Sequence, residues 1–157
     1  MHGWEIDIAS DGSPLDPLLI ARIDATMRLV LTAEGAGDAE ISIALLSDEG
    51  IRAVHRDYLG DDTPTDVITF PLREPGRPLV GDVYLGVEQA AAQAEEFGIP
   101  VEEEILRLIV HSGLHLLGWE HPEDGDRDSS PMYIRQEELL RQAIDRTATG
   151  PRPEGSD

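Results

Sequence analysis

The sequence predicts an α+β fold: a single domain with a small mixed β-sheet of about four strands and helices packed on it. Three observations carry this. Short segments that alternate apolar and polar residues sit beside longer ones with apolar residues every three or four positions. Their order, βαβαββααα, contains no repeat and no regular strand–helix alternation, unlike a doubly wound sheet. And 157 residues suit one domain that buries a core without covalent staples.

Trp4 to Ala9 alternates as a half-buried strand does. Asp11-Gly12-Ser13-Pro14 is a turn, and a helix follows from Asp16 to Glu34 with Leu19, Ile23, Met27, Val30 and Leu31 on one face. Gly35-Ala36-Gly37-Asp38 ends it, and Glu40 to Leu46 reads as a buried strand. Ser47 or Asp48 caps a helix running to Tyr58, with Ile51, Val54 and Tyr58 inward. After the polar loop Gly60 to Pro64, strands are expected over Thr65–Phe70 and Val80–Gly86, joined by a loop or hairpin. Val87 to Phe97 is an alanine-rich helix stopped by Gly98-Ile99-Pro100. Val101 to Leu117 is a helix whose three leading glutamates match its dipole, and the last helix spans Met132 to Arg146. The domain is expected over residues 1–146. Residues 147–157, with two prolines and two glycines, are expected to be a disordered tail.

Composition removes several classes. Without cysteine there is neither a disulfide nor a thiolate metal site, which fits a reducing compartment. Met1 to Ser10 lacks the basic flank and apolar stretch of a signal peptide, and no uncharged apolar run nears the roughly 20 residues of a membrane span. The expectation is a cytoplasmic protein with no membrane partner. Twelve arginines, no lysine and 32 acidic residues give a net charge of −20. Such a surface repels phosphate backbones at long range and argues against a general nucleic-acid or DNA binder. A local arginine-lined cleft is still compatible with it, because salt screens charges beyond about 8–10 Å.

The stretch His111-Ser112-Gly113-Leu114-His115-Leu116-Leu117-Gly118-Trp119-Glu120-His121 holds three of the five histidines. On a helix, positions four apart lie about 40° and roughly 6 Å from one another, so His111 and His115 can reach one metal ion. Gly118 supplies a helix stop and Pro122 forbids resumption, so the chain can turn back and bring His121 to the same point. Three histidines and one open position form a catalytic zinc site, here at a helix C-terminus, with one Zn2+ per chain. Such a zinc can activate water near neutral pH, which makes the protein a hydrolase. The ligand spacing equals that of the zinc proteases His-Glu-x-x-His-x-x-Gly-x-x-His, but their general-base glutamate is Ser112 here. Glu120 is the nearest carboxylate and the candidate for proton transfer, set against a reading as a solvated acid. Asp82 is a candidate to brace a zinc-ligating histidine, and Trp119 is expected to pack rather than to stack a base.

The same stretch resembles the His-Gly-x-Leu-His-Leu-x-Gly-Tyr-Asp-His signature of the YbeY family of bacterial rRNA-maturation factors. Pro64-Thr65-Asp66-Val67-Ile68-Thr69-Phe70 is similar to that family's Pro-Thr-Asp-Val-Leu-Ser-Phe, and Gly81-Asp82-Val83 to its Gly-Asp-Ile strand. Met132 followed by Glu137 also fits, so the resemblance covers about residues 40–145. It implies a zinc-dependent endoribonuclease specific for single-stranded RNA, acting in late 16S rRNA 3′-end processing and ribosome quality control. Its partners would be the 16S rRNA precursor and the small ribosomal subunit. His111, His115 and His121 would be the zinc ligands, and Thr65, Asp66 and Asp82 would shape the adjacent cleft. Many members carry arginine where this chain has Leu59, so Arg56, Arg73 or Arg77 would have to meet the substrate instead. The alternatives are a zinc hydrolase acting on a non-nucleic substrate such as a peptide, and a non-enzymatic ribosome-associated factor that zinc only stabilises.

Overall fold

A computed structural model of the chain describes residues 3–12, 16–120 and 130–149. The elements run β1 (Trp4–Ser10), α1 (Pro17–Ala33), β2 (Ala39–Leu46), α2 (Asp48–Leu59), β3 (Val67–Leu72), β4 (Leu79–Gly86), α3 (Val87–Phe97), α4 (Val101–Leu116) and α5 (Pro131–Thr149). The four strands form one sheet in the order β1-β2-β4-β3. β1, β2 and β4 are parallel, and β3 joins antiparallel at the edge. This is the expected α+β architecture with a mixed sheet. No helix among the described residues is long and apolar enough to cross a membrane.

Local chemistry sets the boundaries. The Asp16 carboxylate accepts from the Leu18 amide at the start of α1, with Pro17 at the first helical position. Ser47 caps α2, and Gly60 and Gly98, both with left-handed φ, close α2 and α3. β3 begins two residues later than expected and runs two residues further. Asp66 is outside the strand because its carboxylate accepts from the Val67 amide while its carbonyl accepts from Gly86. Pro71 is tolerated within β3 because an edge strand can spare an amide. α5 continues three residues past the expected end at Arg146, so the start of the supposed tail is helical. The remainder, 150–157, lies outside the described residues.

Strand alternation divides the sheet into two faces. Ile41, Ile43 and Leu45 of β2 face the same side as Gly81, Val83 and Leu85 of β4. On that side they share one buried cluster with Ile23, Met27, Val30 and Leu31 of α1 and with Leu106, Ile109, Val110, Leu114 and Leu116 of α4. Two glycines let α4 approach closely. A Cβ on Gly81 would stand 2.7 Å from Leu116 Cδ2, and one on Gly113 would stand 3.0 Å from Val30 Cγ1. α2 covers the β3–β4 part of the opposite face, while Glu5, Asp7, Glu40 and Ser42 on β1 and β2 are exposed there. The Tyr58 ring of α2 lies 5.4 Å from Phe70, which lies 5.9 Å from Tyr84.

α4 also carries polar groups into this packing. Glu104 is only 4% exposed. Arg107 reaches it with Nη1 at 2.7 Å and grips Glu137 of α5 with Nε at 3.0 Å and Nη2 at 3.2 Å, a two-bonded fork. Burial opposes the Arg107 charge, but Glu137 and Glu104 outweigh it and hold the guanidinium above its ordinary pKa. The Glu104 carboxyl goes the other way. Burial raises its pKa first and foremost, Arg107 offsets part of this, and the nearby charges of Asp66 and Glu137 add to the rise.

Two outcomes follow from this packing. Gly81→Val should lower stability by about 1–3 kcal/mol, because Leu116 must leave its seat, with the better strand propensity of valine offsetting part of the loss. Urea unfolding measures it, and a midpoint equal to or above wild type would contradict the close α4–β4 approach. Because the folded pKa of Glu104 lies above its unfolded value, its contribution is complete below the unfolded pKa and fades as pH rises through the folded one. As pH rises from below the ordinary glutamate pKa through the raised folded one, wild type should therefore lose stability relative to Glu104→Gln. Parallel stability curves for the two proteins would contradict this.

Candidate metal centre

His111 and His115 are half-buried on the last two turns of α4, their ring centroids 4.6 Å apart and nearly perpendicular. Each ring is fixed through Nδ1. His111 Nδ1 lies 2.7 Å from Oε1 of Gln136 on α5, and His115 Nδ1 lies 2.9 Å from the carbonyl of Trp119. A carbonyl only accepts, so His115 carries its proton on Nδ1. The Gln136 amide is oriented by its own Nε2, which donates to Glu137 Oε2 at 3.1 Å, so Oε1 faces His111 and accepts as well. Both imidazoles are thereby set to ligate through Nε2, which is the arrangement a metal-binding histidine needs. The chain Arg107–Glu137–Gln136–His111 links the α4–α5 ion cluster directly to the first histidine.

The turn after α4 provides the second anchor. Gly118 takes φ 102°, and the Trp119 amide returns to the Leu114 carbonyl. This fold-back places the Trp119 carbonyl over His115. Trp119 Nε1 donates to Glu34 Oε1 at 2.8 Å, and Arg135 Nε donates to the other Glu34 oxygen at 2.8 Å. The indole is a packed strut between α1 and the site, in line with the packing expectation.

His121 lies outside the described residues. Among the described residues no group of three histidine, aspartate or glutamate side chains converges as a metal site. What they show is a pair of imidazoles, each with a hydrogen-bond acceptor behind Nδ1, and that donor chemistry fits a zinc ion.

The other expected residues are dispersed. Ser112 is fully buried and donates to the Leu108 carbonyl at 2.7 Å, so it is no substitute for a protease glutamate. Glu120 is exposed and makes no hydrogen bond or ion pair among the described residues. Asp82 lies away from the described histidines. It pairs with Phe70 and Ser42 in the sheet register and so lies on the α2 face, opposite the Gly81 face that Leu116 of α4 covers. Its carboxylate acts on Tyr84, whose phenol pKa is raised by burial first, then by Asp82 and Tyr58. Among the described residues it braces no histidine. Arg56, at the end of α2, has Nε 3.1 Å from Asp57 and is not brought to the histidine pair either. Thr65 sits 3.5 Å from the Asp66 carboxylate, and Asp66 is engaged by the Val67 amide and by Gln93 Nε2 at 3.2 Å, a clamp between β3 and α3. His55 Nδ1 meets the Thr63 carbonyl at 2.8 Å and ties down the loop after α2.

β3 and α4 run side by side. Asp66 acts on Glu104 at one end, and at the other a Cβ on Gly118 would stand 2.7 Å from Arg73 Nη1. From Asp66 to Arg73 the strand and its flanking residues cover about 23 Å, and from Glu104 to Leu116 the helix covers about 18 Å. The histidine pair therefore lies along the second half of β3, beside the face that carries Thr69 and Pro71. Gln136 escaped the sequence reading, although a signal existed. It occupies a buried position, 7% exposed, in the apolar series Met132, Leu139, Leu140 and Ala143 of α5.

Residues 11–144 match the family model described as endoribonuclease YbeY. An endoribonuclease YbeY of Bacillus velezensis is 33% identical over 147 residues, covering 86% of this chain and 92% of that protein. One from Sulfurihydrogenibium is 41% identical over 114 residues, covering 71% and 74%. A solution structure of a Thermotoga maritima protein superposes with a TM-score of 0.68 at 26% identity, covering 97% of this chain and 99% of that one. With its histidine-bearing helix, its mixed sheet and a match over most of its length, the chain belongs to the endoribonuclease YbeY family.

Proposed function

We propose that this chain is a zinc-dependent endoribonuclease that cuts single-stranded RNA. Its substrate is the 16S rRNA precursor in the small ribosomal subunit, and its work is late 3′-end processing and ribosome quality control in the cytoplasm. Family membership supports a hydrolase acting on RNA. The observation that carries the metal reading is the paired fixation of Nδ1 on His111 and His115. His111, His115 and His121 would hold the zinc, which when bound supplies a Lewis acid and a water acidic enough to attack near neutral pH.

The residues bonded to the histidine pair orient the rings and do not transfer protons. Gln136 and the Trp119 carbonyl hold the two rings, and Ser112 is turned away into the helix backbone. With Ser112 buried, nothing beside His111 can act as the general base of peptide hydrolysis, so the peptide alternative loses its chemistry. Glu120, exposed next to His121, is the remaining candidate for proton transfer.

Elemental analysis of purified protein should give one zinc per chain, and the loaded protein should cut a single-stranded RNA. His115→Ala should lose the zinc and slow cutting by more than about a hundredfold. A His115→Ala protein that lacks zinc and still cuts at the wild-type rate would refute the assignment.

A further inference from the structure

A protein with net charge −20 must bring a cation to any RNA it holds, and its arginines are largely committed elsewhere. Arg22, Arg28, Arg52, Arg107 and Arg135 each pair with a carboxylate of their own helix or a neighbouring segment. Arg73 differs. It is exposed, follows β3 directly, and makes no hydrogen bond or ion pair among the described residues.

Its position is defined by α4. The guanidinium lies against Gly118, where a side chain would collide with Nη1. That is three residues beyond His115, in the turn just past the end of α4. The electronegative C-terminal end of α4 favours a cation there. On its other side Arg73 lines an open hollow of about 480 Å³ together with Arg77, Asp38, Pro78 and Leu79. Arg77 is only loosely tied to Glu74, at 3.6 Å between two exposed side chains, and Asp38 accepts from the Gly3 amide at 2.8 Å.

We propose that Arg73, with Arg77 beside it, forms an anion subsite that holds a backbone phosphate of the RNA strand next to the histidine pair. The inference rests on the endoribonuclease reading and names the residues that receive the strand on one side of the scissile bond. A guanidinium presents a planar fork to two phosphate oxygens. At contact distance it outweighs the acidic surface, because carboxylates beyond about 8–10 Å are screened at physiological salt. Gly118 serves this subsite as well as the turn, since its missing side chain is what admits the guanidinium.

Steady-state cleavage of a single-stranded RNA by zinc-loaded protein tests it, with wild type compared with Arg73→Ala, Arg73→Lys and Arg141→Ala. Arg141 is an exposed arginine of α5 and controls for loss of one positive charge. Arg73→Ala should raise KM by about tenfold, with kcat changed less than about twofold. It should also flatten the dependence of log kcat/KM on log salt by about 0.7, the share of one single-strand phosphate contact. Arg73→Lys should restore the salt slope and only part of the KM, while Arg141→Ala should behave as wild type. If Arg73→Ala keeps the wild-type KM and salt slope in an enzyme that cuts RNA, the subsite is wrong and the endoribonuclease reading stands. If wild type neither binds nor cuts RNA, the reading itself fails and takes the subsite with it.

Discussion

The constraint on which the structure depends is that α4 is surrounded. It touches α1, α3, α5, β3 and β4, and Leu106, Ile109, Val110, Leu114 and Leu116 are all but inaccessible. A helix packed on so many sides leaves its inward polar side chains little solvent, so each buried one needs a partner with matched chemistry. Among the described residues no buried side-chain nitrogen or oxygen lacks one. Glu104 is met by Arg107, Ser112 by its own helix backbone, and His111 by Gln136. The polar stripe of α4 is therefore ordered from one end to the other, and the histidines inherit that order.

This order is what would make the two histidines a prepared ligand pair under the proposed zinc reading. Neutral imidazole exists as two tautomers, and a metal selects the one with a bare Nε2. Here the choice is made by the fold, through Gln136 on α5 and the Trp119 carbonyl in the turn held by Gly118. The same turn fixes where Arg73 can lie, so the ligand geometry and the proposed phosphate contact share one structural element. The acidic surface elsewhere then has a simple consequence. Association with RNA leans on few contacts close to the chemistry rather than on a broad cationic face.

Much of this was legible in the sequence, because it depends on local pattern. The alternation of Trp4 to Ala9, the capping residues Asp16 and Ser47, and the glycines that end α2 and α3 report on neighbours a few positions away. The pair His111 and His115 belongs to the same class. What sequence could not supply was facing and long-range pairing. Gly81 and Asp82 are adjacent, yet one turns to α4 and the other to α2, and only the strand register decides which. The bonds Gln136–His111 and Trp119–Glu34 span 25 and 85 positions, so no local pattern encodes them. Thr65 and Asp66 show a related limit. Their residue types suit a cleft or a clamp equally well, and the Gln93 amide makes Asp66 a clamp.

The central claim is that packing between α4 and α5 presets the histidines for zinc. Chelator competition on wild type and Gln136→Leu, with circular dichroism to establish that both are folded, tests it most directly. Loss of the acceptor behind His111 should weaken zinc binding by about 10–100-fold, and Gln136→Glu, which keeps an acceptor at that position, should bind within a few-fold of wild type. Equal zinc affinity for wild type and a folded Gln136→Leu would contradict the account.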